Sequence, residues 1–223
     1  MEETEQDVSP DAEQRLLLAA QEEFAERGYE GATIREICRK ANANVASINY
    51  YFGGKEELYI AAVKAAHTCV SSGDRDLVVP SDCPAVEKLK AFIAGMAASM
   101  HVPISPTAMK LLMREMSVPG KAAHVVVKEF IQPKALGLQK VICDLFPSLD
   151  ESRVLAVGAS IIGQLLFYRQ NRPVAELIFG KEAMTALTLE LVTEHVTRFT
   201  LAALGLGEPP YQTAVPRAAT EAV

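Results

Sequence analysis

Apolar positions recur every three or four residues in almost every segment of this chain, and strict strand-type alternation is nearly absent. In the first segment Leu16, Leu17, Ala20 and Phe24 share one helical face. Ser9-Pro10 supplies a start signal, with serine as N-cap and proline at the first helical position, and Gly28 suits a left-handed C-terminal cap. A second helix opens at Thr33, where Thr33-Ile34-Arg35-Glu36 reads as a capping box with Glu36 reaching back to the Thr33 amide. Ile34, Ile37 and Ala41 form its apolar face, and Asn42, which tolerates the left-handed conformation, ends it. Asn44 caps a third short helix from Val45 to about Tyr51. Gly53-Gly54 breaks that helix, and a fourth runs from near Lys55 to about Ser71. Two short helices joined by a tight turn behind a longer first helix have the layout of a helix-turn-helix unit.

Beyond a polar, proline-containing break at 72–84, longer helical segments follow at 85–101, 105–117, 121–146, 151–171 and 183–204, with a short one at 173–179. Pro103, Pro119-Gly120, Pro147 and Gly180 mark the joints, and Pro133 is expected to kink or split the segment that contains it. There is no internal repeat. The expected fold is all-α. A disordered acidic leader (1–8) precedes a helix-turn-helix domain (9–70, with the motif at 33–52). A larger helical domain (71–205) follows, and the Gly- and Pro-rich tail at 206–223 is expected to be disordered.

Composition narrows the function by exclusion. Of 223 residues 49% are hydrophobic, enough for a real core, so a wholly disordered chain is ruled out. A spanning helix needs about 20 apolar residues. The uncharged stretch between Lys90 and Lys110 contains His101, Pro103 and Pro106, and the stretch from Val154 to Tyr168 is short and closed by Arg153 and Arg169. Residues 1–10 are acidic and have no apolar core, so a cytoplasmic protein is expected. Cys38, Cys69, Cys83 and Cys143 make no C-x-x-C pair and read as small apolar fillers; Cys38, beside Arg39 and Lys40, is the one candidate for a redox role. His67, His101, His124 and His195 are scattered, with no nucleophile–base pair, phosphate loop or metal-ligand spacing. No enzymatic activity, metal or cofactor is expected. The rival class is a helical small-molecule carrier or an enzyme without a DNA function.

The net charge of -6 argues against a nucleic-acid partner until the charges are located. Residues 1–30 hold two basic and ten acidic residues, whereas 33–55 hold Arg35, Arg39, Lys40 and Lys55 against Glu36 alone. Acidity thus belongs to the first helix and its leader, and the helix-turn-helix is locally basic. Phosphate affinity follows that local surface rather than the overall charge.

The third helix offers Val45, Ala46, Ser47, Asn49, Tyr50 and Tyr51 to a major groove about 12 Å wide. Asn49 has the paired donor and acceptor that read a base edge, adenine by preference. Thr33 and Ser47 hydroxyls, the tyrosine hydroxyls and amides at helix starts suit phosphate oxygens, and Lys55 adds a direct charge. Ile37, Ile48 and Phe52 are expected to form the core of the unit, and Tyr51 has a packing role as its alternative. The segment ATIREICRKANANVASINYYFGGKEELY closely resembles the DNA-binding domain of TetR-type transcriptional regulators, with the likeness running from about Glu13 to Thr68. It includes the closing pattern Tyr50-Tyr51-Phe52-Gly53-Gly54-Lys55-Glu56. The resemblance implies DNA contacts at Thr33, Ser47, Tyr50, Tyr51 and Lys55, to which the residue-level reading adds Asn44, Val45 and Asn49. Two departures are Asn49, where the family commonly has tyrosine, and Asn42, where it has glycine.

The same resemblance implies that the remaining helices bind a ligand and dimerise. KLLMREMSVPGKAAHVVVKEFIQP and the following VICDLFP look like the CecR branch. Met96, Met100, Met113, Phe130 and Phe167, joined by Met109 and Met116, suit an adaptable apolar pocket for a small apolar or amphipathic effector, with ordinary core packing as the alternative. His101, Arg114, Glu115 and His124 are the polar groups available to orient it. For a dimer face, Val154, Val157, Gly158, Ile161, Leu165 and Tyr168 make one stripe, and Leu187, Leu191, Val192, His195, Phe199 and Ala202 another. Two helices per subunit give a four-helix bundle, whose two-fold symmetry sets recognition helices about 34–36 Å apart on a palindromic operator. The expected protein is a homodimeric, ligand-responsive repressor.

Overall fold

The computed structural model describes residues 12–70 and 83–209. The helices in order are α1 (Ala12–Gly31), α2 (Ile34–Ala41), α3 (Val45–Tyr51), α4 (Lys55–Val70), α5 (Ala85–His101), α6 (Pro106–Ser117), α7 (Lys121–Val126), α8 (Gln132–Leu145), α9 (Glu151–Gln170), α10 (Arg172–Phe179), α11 (Lys181–Ala186) and α12 (Leu189–Ala203). A π-helical turn, Val127–Ile131, joins α7 to α8. No strand occurs among the described residues, so the all-α expectation holds. The Ser9-Pro10 start signal, the acidic leader and the tail beyond Pro209 lie outside the described residues.

Most starts and stops follow local chemistry. Ser105 caps α6 ahead of Pro106, Asp150 caps α9, and Thr33 and Asn44 cap α2 and α3, each accepting a hydrogen bond from an amide of its first turn. Gly28 has φ +72 and kinks the end of α1, a conformation that favours glycine. Two expectations need correction and one is met. Glu36 does not return to the Thr33 amide; its carboxylate takes the Arg39 guanidinium one turn on, so only half of the capping box forms. The 121–146 segment is split beside Pro133, as expected: a π turn interrupts it, in which Gln132 N–H donates to Val127 O just before Pro133, which has no N–H to give. The 183–204 segment is two helices, because Leu187 leaves helical geometry and Thr188 starts α12 afresh by accepting from Leu191 N–H.

The chain divides into two compact units, each made of two stretches: Met1–Arg75 with Val102–Gly137, and Asp76–His101 with Leu138–Val223. Packing therefore does not follow a cut at residue 70. The short helices of the helix-turn-helix cover only one side of α1 and α4, and the other side is covered by Ala108, Leu111 and Leu112 of α6 and Ala122 and Val126 of α7. Leu16, Phe24, Ile37, Ile48 and Leu58 form the centre of this first core. The second unit has its own core, in which Leu89 and Ile93 of α5, Ile142 of α8, Ile161 and Leu165 of α9 and Val196 of α12 are fully or almost fully buried.

Candidate nucleic-acid interface

The turn between α2 and α3 is set by two asparagines. Asn42 takes the left-handed conformation (φ 49, ψ 51), which turns the chain so that Asn42 N–H donates to Arg39 O and Ala43 N–H to Cys38 O. Asn44 then returns to extended backbone and its Oδ1 accepts from Ala46 N–H at 3.0 Å, starting α3. Ile48 is buried on the inner side of α3, and Phe52 packs against the same core. Val45, Ala46, Asn49 and Tyr50 are exposed on the outer side, Tyr50 to 82%, while Ser47 is half-buried. Tyr51 leans on the core and meets Tyr50 edge-on, with ring centroids 4.9 Å apart. Lys55, at the first turn of α4, holds its ammonium 4.7 Å from the centroid of the Tyr29 ring.

The local basic charge is partly spent inside the unit. Lys40 Nζ lies 3.0 Å from the buried carboxylate of Glu23 and 3.8 Å from Glu26, both on α1. Glu23 also accepts Arg27 at 3.0 Å. The hydrogen bond to Glu23 raises the Lys40 pKa above its ordinary value. Arg39 chelates Glu36, which lowers the glutamate's pKa. Among the described residues Arg35 is exposed with no ion-pair partner, so Arg35 and Lys55 remain the cations of the 33–55 segment not neutralised by an acid. The sequence-level excess of positive charge overstates what this surface presents. Spacing along the chain shows i,i+4 pairs such as Glu23–Arg27, but not the contact that brings Glu23 to Lys40.

Residues 16–62 match the family model of bacterial regulatory proteins, tetR family, and residues 85–204, more than half of the chain, match the C-terminal domain of the HTH-type transcriptional dual regulator CecR. The chain belongs to the TetR family, with a CecR-type C-terminal domain. This TetR-family protein is a DNA-binding transcriptional regulator, not an enzyme, and regulators of the family bind DNA operators and act as dimers. The dual regulator CecR of Shigella flexneri is 28% identical over 205 residues, which cover 83% of this chain and 88% of that protein. Among solved structures, a transcriptional regulator from Pseudomonas aeruginosa PAO1 superposes with a TM-score of 0.61 at 20% identity, covering 90% of this chain and 94% of that one. The fatty acid degradation regulator FadR from Bacillus halodurans gives 0.54 at 18% identity, covering 82% and 97%. Both share the fold.

The remaining candidates of this TetR-family regulator are distributed differently from the sequence reading. Of the effector candidates, Met113 and Phe130 pack against the first core, with Phe130 4.9 Å from the His67 ring, and the Arg114 guanidinium lies against Gly28. Met96, Met100, His101 and Phe167 belong to the second unit; Met96 is a core side chain, Met100 packs against it, and His101 Nδ1 is 3.0 Å from Ala97 O. The seven therefore do not gather within either unit. Glu115 is buried and bonded, which removes it from the groups available to an effector. His124 is exposed on α7 in the first unit.

The dimer stripe on α9 also needs correction. Val154, Ile161 and Leu165 are buried in the core of their own unit, at most 3% exposed, and Val157 packs against it. The outward side carries Leu155, Ala159, Gly163 and Phe167, whose regular spacing was hidden because both sides of α9 are apolar. On α12 Leu191 and Phe199 are exposed, whereas Leu187, in the joint before α12, is half-buried against the core. Cys38 is buried, and burial pushes its thiol pKa up, the reverse of what a redox switch requires. Among the described residues no group of three metal-binding side chains occurs, and no helix is long and apolar enough to cross a membrane.

Proposed function

We propose that this regulator is a homodimeric repressor that reads a palindromic operator with α3 and releases it in response to a small apolar or amphipathic effector. The observation that carries the reading is the outer side of α3: Asn49 and Tyr50 stand exposed beside a turn fixed by Asn42 and Asn44. Asn49 presents amide donor and acceptor to a base edge, and Val45 is placed to meet a thymine methyl. Thr33 and Asn44 use only their acceptor oxygens as caps. The Thr33 hydroxyl proton and the Asn44 amide protons remain free to donate to phosphate oxygens, alongside Ser47, Tyr50, Tyr51 and Lys55. Reading a bacterial chromosome places the protein in the cytoplasm.

In the second unit the effector contacts Met96, Met100 and His101, where flexible thioethers accommodate apolar ligands of varied shape, while Phe167, exposed on the outward side of α9, goes to the partner. Leu191 and Phe199 of α12, with the outward side of α9, meet the partner, and the two-fold axis sets the reading heads about 34–36 Å apart. An effector that favours another spacing lowers operator affinity by its preference for that state, typically about 5–150-fold.

The test is binding to the gene's own upstream DNA beside a scrambled duplex of equal length, at several salt concentrations. Tight binding to the first alone, with two subunits or a multiple per site, supports the reading. A genome-fragment selection that recovers no preferred sequence sinks it.

A further inference from the structure

On α10 the polarity of an ordinary surface helix is reversed. Val174, Leu177, Ile178 and Phe179 are 56–87% exposed, while the residue it buries against its own chain is Ala175. Val174, Leu177 and Ile178 stand at i, i+3 and i+4, so they form one face, and the polar pair Arg172–Glu176 closes on itself at 2.9 Å. Pro173 at the start and Gly180 at φ +87 at the end fix where the helix begins and stops. It follows α9 after a single residue, Asn171, whose N–H donates to Phe167 O, and Phe167 is itself exposed. The apolar surface of α10 thus continues the outward side of α9.

We infer that α10 docks on a second copy of this chain and is a required part of the dimer interface, an inference that rests on the dimer reading above. Area decides for this occupant. α9 has 20 residues and α12 has 15, so their lengths are about 30 Å and 22 Å, and strips about 10 Å wide along both offer roughly 500 Å² per protomer. A stable interface takes about 800 Å² from each partner. Side chains the size of Leu, Ile, Val and Phe each carry on the order of 100 Å² of apolar surface, so the four on α10 add roughly 300 Å² at their exposure and make up the difference. The face has no charge to offer a nucleic acid or an acidic peptide. A two-fold interface uses the same patch on both subunits, as a self-complementary apolar face permits.

The test is sedimentation equilibrium on the full chain as wild type, as the double variant Leu177→Glu/Ile178→Glu, and as Phe199→Glu. Both α10 side chains are exposed, so the double variant is expected to keep its helical circular dichroism and melting temperature at high protein concentration. A dimer dissociation constant raised tenfold or more in the double variant supports the inference. A double variant that dimerises like the wild type overturns it, and the dimer reading then stands on Phe199→Glu, which is expected to dissociate. A wild type that is monomeric at micromolar concentration overturns both.

Discussion

The Tyr59 hydroxyl of α4 donates to Glu115 Oε2 of α6 across 2.5 Å in the buried interior of the first unit. The other oxygen of that carboxylate accepts Gly120 N–H at 3.1 Å and Ala123 N–H at 2.7 Å, so Glu115 also caps α7, whose own N-cap residue has no side chain. A single buried carboxylate thereby joins α4, α6 and the start of α7. The contacts Lys121–Glu56, Lys64–Glu129 and His67–Phe130 continue the attachment along α4, from its first turn to its last. Lys55 begins α4, so the position of this cation depends on how α4 is held.

Removing Glu115 should therefore cost more than a surface carboxylate. Glu115→Ala leaves the Tyr59 hydroxyl and two amides without acceptors in a buried site and is expected to destabilise the protein by about 3 kcal/mol or more. Tyr59→Phe leaves the two amide bonds in place and is expected to cost about 1.5–3 kcal/mol, the range for a hydrogen bond to a charged group. Urea unfolding followed by circular dichroism measures both. Equal, near-zero losses would show that the carboxylate organises nothing.

The same contact has a signature at high pH. Burial first, and the hydrogen bond to Glu115 second, raise the Tyr59 pKa well above its ordinary value near 10. The neutral phenol is favoured by the fold, so this contribution is fully present below the unfolded tyrosine value. Above it the unfolded chain gives up the phenol proton while the folded one keeps it, and stability falls as pH rises. Urea midpoints between pH 9 and 11 should decline more steeply in the wild type than in Tyr59→Phe; parallel curves would remove Tyr59 as the source.

Helices were legible wherever a cap and a period agreed. Thr33, Asn42 and Asn44 bound α2 and α3 because each acts on its own neighbours, and such chemistry is written locally. Sequence spacing failed where the deciding partner is distant. Nothing near Lys40 in the chain shows that Glu23 neutralises it, and nothing near Glu115 shows Tyr59 or the amides of α7. On α9 periodicity was present on both sides, so it could not tell the core stripe of Ile161 and Leu165 from the outward one of Leu155 and Phe167. Apolar spacing continues through Thr188 and masks the break there, although the threonine side chain starts a new helix.

Cysteine labelling separates the buried from the exposed thiols. Cys143 is exposed, whereas Cys38 is buried in the first core with its pKa raised by desolvation. A thiolate is the reacting species, so Cys143 is expected to react with a disulfide reagent at neutral pH well before Cys38, which should wait for unfolding. Mass spectrometry of the labelled peptides reads the order. Rapid modification of Cys38 in the folded protein would restore the redox reading.

Salt dependence follows from which cations are paired. With Arg39 and Lys40 held by Glu36 and Glu23, each head offers Arg35 and Lys55, and a dimer offers four such cations. The slope of log affinity against log salt is then expected near −3.6, against about −7 if all four cations of each 33–55 segment reached phosphates. A slope near −7 would mean that the α1–α2 ion pairs open on DNA. Glu23→Gln is then informative, because it frees Lys40 and should steepen the slope.

Asn49 and Tyr50 are adjacent and both exposed, yet they are expected to fail differently. Asn49 has a donor and an acceptor matched to a base edge, so Asn49→Ala should lower operator affinity by about 1–3 kcal/mol per half-site and leave binding to scrambled DNA unchanged. Tyr50 has a single hydroxyl suited to phosphate and an edge-on contact with Tyr51. Tyr50→Ala should therefore weaken operator and scrambled duplexes by a similar factor, since a phosphate contact carries no sequence information. Neither change touches the core, so melting temperatures should stay close to that of the wild type. Competition binding with both duplexes at one salt concentration distinguishes the two. If Tyr50→Ala relaxes specificity while Asn49→Ala lowers all affinities alike, base reading belongs to the tyrosine and the roles assigned here are reversed.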